Sequence, residues 1–160
     1  MEQELDNREV FSRAVQRFAA GWRTPEPHAW DDLLAADVEL SQPLLRDGHS
    51  RSVWHGEVAR LLAFIPDLHG EVLRWAGRGD TLFIELELRG TAGGKPVSFR
   101  AVDRLTLGDE ATVVRRDSFF DPIPLAATLA RRPRAWMRWW RSGIGPLLWR
   151  RKVLRKVETP

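Results

Sequence analysis

The chain has 160 residues, 43% hydrophobic and 29% charged, with eight tryptophans and no cysteine; one domain is expected, and a disulfide framework, a thiolate metal site and a cysteine nucleophile are excluded. The formal charge of +3 conceals a division, because residues 1–130 hold 15 basic and 21 acidic side chains, a net −6, whereas residues 131–160 hold 10 basic against one acidic, a net +9. The N-terminus is acidic where a signal peptide would be basic and then apolar, and no apolar run reaches the roughly eighteen residues of a spanning helix, so a cytoplasmic protein is expected.

Leu5, Val10, Phe11, Ala14, Val15, Phe18 and Ala19 recur at spacings of three and four, which predicts an amphipathic helix over 5–20 that ends at Gly21. Pro25 and Pro27 break the chain. HAWDDLLAADVEL then places Trp30, Leu33 and Leu34 on one stripe, which predicts a second short helix leading into a strand at 38–40, before the polar loop SQPLLRDGHSRS. Val58, Leu61, Leu62 and Ile65 mark a third helix from Gly56 to Phe64, stopped by Pro66.

After Pro66 the period changes to two, predicting strands at 68–76, 81–90, 96–107 and 111–120, with turns at Gly77/Gly79, Ala92-Gly93-Gly94 and Gly108-Asp109. Connections this short imply antiparallel neighbours, hence an α+β domain with helices on one face of a meander. Leu82, Ile84, Leu86 and Leu88 alternate with Glu85, Glu87 and Arg89, so the apolar set faces the core and Glu87 falls opposite Arg100. The same alternation puts Asp103 on the inner face, where an ionised carboxylate needs a partner. In the next strand Val113, Arg115, Asp117 and Phe119 share one face, and the turn at Gly108-Asp109 sets Arg115 almost opposite Asp103, which predicts an inward cluster of Asp103, Arg115 and Asp117. That cluster reads either as a buried structural ion pair or as an acid/base pair tuned by one guanidinium. The four histidines show neither the i, i+4 pairing nor the carboxylate spacing of a metal site, so no metal is expected; His55, beside Trp54, is the one to test.

The C-terminal stretch AWMRWWRSGIGPLLWRRKVLRK interleaves tryptophan with arginine. On a helical wheel from Pro133, Ala135, Trp136, Met137, Trp139 and Trp140 fill one arc and Arg134, Arg138 and Arg141 the opposite one; residues 143–146 interrupt, and the pattern resumes with Leu147, Trp149, Val153 and Leu154. Three readings stay open: a peripheral membrane anchor whose indoles sit at the lipid interface, packing on the domain or on a dimer mate, and, with less support, RNA binding. The acidic body carries no nucleic-acid motif, so nucleic acid is not an expected partner.

The order of elements, with AVQRFAAGW at 14–22, DLLAADVELSQP at 32–43, WHGEVARLLAFIPDLHGEVLRW at 54–75, LELRGTAGGKPVSFRAVDRLTL at 86–107 and RRDSFFDPIPL at 115–125, resembles the SnoaL-like branch of the nuclear transport factor 2-like superfamily. The resemblance implies a cone-shaped, curved antiparallel sheet wrapped around three N-terminal helices over residues 1–125, with residues 126–160 as a basic tail. It implies a homodimer, a pocket for a hydrophobic small molecule, and chemistry without a cofactor. The isomerase members use an aspartate, a tyrosine and a protonated aspartic acid at positions that resemble Gln42, Phe18 and Asp103, so two of those three roles are vacant here. The cyclase members use an aspartate on the last strand, which Asp117 resembles. The implied catalytic set is therefore Asp117 with Asp103 and Arg115, and the implied substrate wall is Phe18, Trp22, Gln42, Trp54 and Phe119. Trp136, Trp139, Trp140 and Trp149 are the expected contacts with membrane or partner. The functional expectations are a cyclase, isomerase, lyase or epoxide hydrolase without a cofactor, or a noncatalytic binding module tethered by its tail.

Overall fold

The computed structural model describes residues 2–42 and 47–144. Helix α1 spans Glu2–Arg23 and α2 spans Arg51–Phe64. The strands are β1 (Leu34–Ser41), β2 (Gly48–His49), β3 (His69–Arg78), β4 (Thr81–Ala92), β5 (Lys95–Leu107) and β6 (Val113–Phe119), and helices α3 (Pro122–Ala130) and α4 (Pro133–Arg141) follow. The six strands form one sheet in the order β2-β1-β6-β5-β4-β3. Long antiparallel ladders join β3 to β4, β4 to β5 and β5 to β6, as the short turns require. The α+β reading holds, with two corrections. The sheet is mixed, because β1 runs parallel to β6, and it stays open rather than closing into a barrel.

The second correction concerns the helices, since two rather than three precede the meander. Residues 27–33 form hydrogen-bonded turns, and pairing of Leu34 with Val113 draws the chain into β1 well before residue 38. Tertiary pairing here overrides a weak helical stripe. Helix α2 begins earlier than Gly56 because Ser50 caps it, its hydroxyl accepting from the Val53 N–H at 3.3 Å.

Two glycines expected to end elements instead permit close packing within them. A Cβ on Gly21 would lie 2.3 Å from the Trp30 indole, so α1 continues past it to Arg23 while Trp30 seats against its backbone. Gly77 lies inside β3, where a Cβ would meet the Phe11 ring at 2.7 Å; this is how α1 lies flat on that strand. The core between helices and sheet gathers Phe11, Phe18, Trp22 and Trp30 with Leu82, Ile84, Leu86 and Leu105, all buried. Outside it, Glu85 pairs with Arg74 and Arg100, and Glu87 with Arg89 and Ser98, so these carboxylates lie on the outer face as alternation predicts.

Helices α3 and α4 pack back on the domain. Leu129, Ala135 and Ile144 are buried and Trp139 is half-buried against the core, whereas Trp136, Met137 and Trp140 point outward. Arg132 fastens the segment by donating to the carbonyls of Ala92, Lys95 and Pro96. No helix among the described residues is long and apolar enough to cross a membrane.

Candidate ligand pocket

The site is built where β5, β6 and the end of β1 meet under α2. Register pairs Asp103 with Ser118 and Leu105 with Arg116, so these four side chains share the inner face. Asp103 is wholly buried and Arg116 nearly so; the guanidinium donates from Nε to Asp103 Oδ2 at 2.9 Å, and Nη2 forms an ion pair with the same oxygen at 2.8 Å. Nη1 donates to Gln42 Oε1 at 2.6 Å, and the guanidinium carbon lies 4.6 Å from the Trp54 ring centroid. Arg116 is thus fixed on three sides: by a carboxylate, by an amide and by an aromatic face. Asp103 Oδ1 is buried without a hydrogen-bond partner.

In front of this group lies a cavity of about 70 Å³. Its polar wall is Arg116, Gln42 and Ser118, and its aromatic wall is Trp22 and Trp54; aliphatic and phenyl side chains from α2, β4 and β5 complete the sides. Leu129, Trp139 and Ile144 from the C-terminal segment close it. The Nε1–H groups of Trp22 and Trp54 are buried and have no hydrogen-bond partner. Among the described residues the lining has one cation, Arg116, with an amide and a hydroxyl beside it, and no carboxylate.

Of the residues singled out in the sequence, the structure brings Trp22, Gln42 and Trp54 to the pocket wall, with Asp103 directly behind Arg116. Phe18 is buried in the core next to Trp22, at 6.4 Å between ring centroids, and its carbonyl accepts from Trp30 Nε1. Arg115, Asp117 and Phe119 do not join Asp103. A β-bulge separates the Leu107–Val113 pair from the Thr106–Arg115 pair, so Val114 is an extra residue and everything beyond it changes face. Arg115 and Asp117 form their own cluster on the outer face: Asp117 accepts from Arg115 and Arg104, and Arg115 also donates to Glu39 at 2.8 Å. Burial pushes the Asp117 carboxyl upward, but the hydrogen bonds and charges of Arg115 and Arg104 outweigh it and hold the group below the usual carboxylate range. Phe119 is exposed, with Arg104 5.8 Å from its ring centroid.

Arg116, Ser118 and Phe120 were missed. The signal lay in the doublets Val113-Val114, Arg115-Arg116 and Phe119-Phe120, which read equally well in either register of a strand. In the tail, Trp139 turns inward while Trp136 and Trp140 remain outside, Trp136 Nε1 donating to the Leu129 carbonyl at 2.8 Å. Trp149 lies outside the described residues.

No curated protein matches the chain. Among solved structures, a protein assigned as a SnoaL-like polyketide cyclase from Jannaschia sp. CCS1 superposes with a TM-score of 0.67 at 17% identity, covering 78% of this chain and 94% of that one. A hypothetical protein with a ketosteroid isomerase-like fold from Catenulispora acidiphila DSM 44928, in complex with trimethylamine, gives 0.65 at 24% identity, covering 77% and 95%. TerC co-crystallised with polyporic acid gives 0.67 at 16% identity, covering 76% and 98%. These likenesses concern the fold. A family model for the SnoaL-like domain matches residues 15–115, from the middle of α1 to the bulge of β6. The chain belongs to the SnoaL-like domain family.

Proposed function

We propose that the protein binds a hydrophobic small molecule carrying an acceptor oxygen, seated against the tryptophan wall with that oxygen toward Arg116. The observation that carries this reading is an apolar cavity whose wall includes a guanidinium fixed by Asp103 and Gln42 and, among the described residues, no carboxylate. A ligand oxygen that accepts from the guanidinium or from the Ser118 hydroxyl is satisfied in surroundings that are otherwise apolar. The cavity's 70 Å³ is well below the roughly 300–1,000 Å³ of drug-sized sites, so a ligand of that size enters by displacing Trp139 and Ile144. TerC's co-crystallisation with polyporic acid supports an occupant of this kind.

Catalysis, where it occurs, is electrostatic. Arg116 stabilises negative charge developing on the ligand oxygen, as an isomerase or cyclase without a cofactor requires, and Asp103 fixes its orientation. Asp117 and Arg115 are on the opposite face and cannot exchange a proton with anything in this cavity.

Thermal melts of the full chain against polyketide-like aromatics, steroids and terpenes test the reading. At least one carbonyl-bearing ligand is expected to raise the melting temperature, and Ser118→Ala and Gln42→Leu are expected to reduce that rise. The absence of any stabilising ligand, or stabilisation indifferent to both substitutions, overturns it.

A second reading, attachment to anionic membranes as a peripheral protein, is favoured by α4, whose exposed Trp136, Met137 and Trp140 are interleaved with the exposed Arg134, Arg138 and Arg141. Vesicles containing anionic lipid are expected to sediment the full chain at low salt and to leave a chain ending at Ala130 in the supernatant.

A further inference from the structure

The turn of residues 27–33 meets α2 through three polar side chains. His28 Nδ1 lies 2.9 Å from Asp31 Oδ2, and His55 Nε2 lies 2.6 Å from Asp31 Oδ1. The two imidazole rings stand 4.0 Å apart between centroids, and the ligating atoms of all three residues lie within 4.8 Å of one another. We propose that His28, Asp31 and His55 bind one divalent transition-metal ion of the zinc or nickel class, with water filling the remaining positions.

The donor set decides the class of ion. Two imidazole nitrogens and one carboxylate oxygen suit zinc, nickel, copper or cobalt, whereas calcium and magnesium prefer all-oxygen shells. Bond lengths of about 2.0–2.2 Å set neighbouring tetrahedral ligand atoms roughly 3.3–3.5 Å apart, so small side-chain rotations about the present positions suffice. Asp31 supplies the carboxylate of the set and already stands within hydrogen-bond reach of both rings. Each ring donates to Asp31 when no ion is bound; with the ion, each turns a lone pair inward and carries its proton on the other nitrogen. The His28 side chain is 71% exposed, that of Asp31 37% and that of His55 22%, so an ion can enter from solvent.

Position gives the site a consequence. Asp31 follows Trp30 and His55 follows Trp54, and those two buried rings meet edge to face at 5.1 Å. An ion held by Asp31 and His55 ties the turn to α2 next in sequence to this pair, of which Trp54 belongs to the pocket wall.

Calorimetric titration of the full chain, freed of metal by chelator, with zinc and then nickel chloride tests the proposal. Binding of one ion per chain is expected, with a melting temperature that rises with ion concentration. His28→Ala and Asp31→Asn are each expected to weaken binding by at least about tenfold, the loss that removal of even an outer-shell partner produces. His28 is exposed enough that its variant keeps the unliganded melting temperature, so lost binding cannot be ascribed to misfolding. No saturable heat and no thermal shift, or both variants binding as tightly as the unaltered chain, overturns the site.

Discussion

Strands β5 and β6 carry two arginine–aspartate clusters back to back, and the sheet between them gives each a different task. On the inner face Asp103 and Arg116 are both buried, at 0% and 6% exposure, and an aromatic ring covers the guanidinium. On the outer face Asp117 is covered, but its partners Arg104 and Arg115 each keep 41% of their side chains in water. The chemistry is the same and the solvent is not. Inside, neither charge can be removed alone without stranding the other in a medium of low dielectric; outside, water replaces whatever is lost.

The sharpest way to break the contrast is Arg116→Ala. It leaves Asp103 buried and uncompensated, and about 3–5 kcal/mol of stability is expected to vanish, read as a lower denaturant midpoint. Asp103→Leu combined with Arg116→Met removes both charges; most of that stability is expected to return, while ligands that raise the melting temperature of the unaltered chain lose their effect. A double variant as unstable as Arg116→Ala would show that packing rather than the stranded charge sets the cost.

On the outer face the expected loss is smaller. Asp117→Asn should cost about 1–2 kcal/mol and leave ligand binding unchanged. Its pH dependence has a definite sign. The folded carboxyl is depressed, so its contribution is present above the unfolded pKa of about 3.9 and is lost as pH falls through the folded value. The variant's stability profile below about pH 4 is therefore expected to be flatter than that of the unaltered chain, as acid titration followed by circular dichroism would show. The smallest effect belongs to α4: Met137→Ser with Trp140→Ser, at 65% and 58% exposure, should change stability by no more than about 0.5 kcal/mol and yet reduce sedimentation with anionic vesicles.

Much of this architecture was legible in the sequence. The period change after Pro66 located β3, β4 and β5 to within about two residues, and the alternation through Leu82–Leu88 and Val97–Leu107 gave the correct inner face, including the buried Asp103. Trp22, Gln42 and Trp54 were placed at the pocket through the family resemblance. The last strand failed for a local reason: its repeated doublets leave the phase undetermined, and the turn that sets the phase places Glu110 and Ala111 at φ of 55° and 63°, a left-handed conformation that no glycine advertises. Gly21 and Gly77 misled because a glycine that accepts a neighbouring aromatic ring is indistinguishable, in one sequence, from a glycine that ends an element. The His28–Asp31–His55 cluster joins residues 24 positions apart across two elements, beyond the reach of any local spacing rule.

The bulge in β6 also bears on how this chain can change length. Val113 faces inward opposite Leu107 and Arg116 faces inward opposite Leu105, and the step of three from 113 to 116 exceeds by one the step of two from 107 to 105. Val114 absorbs the excess and is 41% exposed. Loss of that single residue would leave Val113 in the core and Arg116 in the pocket, whereas loss of any residue from 116 to 118 would turn the rest of the strand over. Across descendants of this sequence, position 114 is therefore where an insertion or deletion can be inherited without altering what the pocket presents.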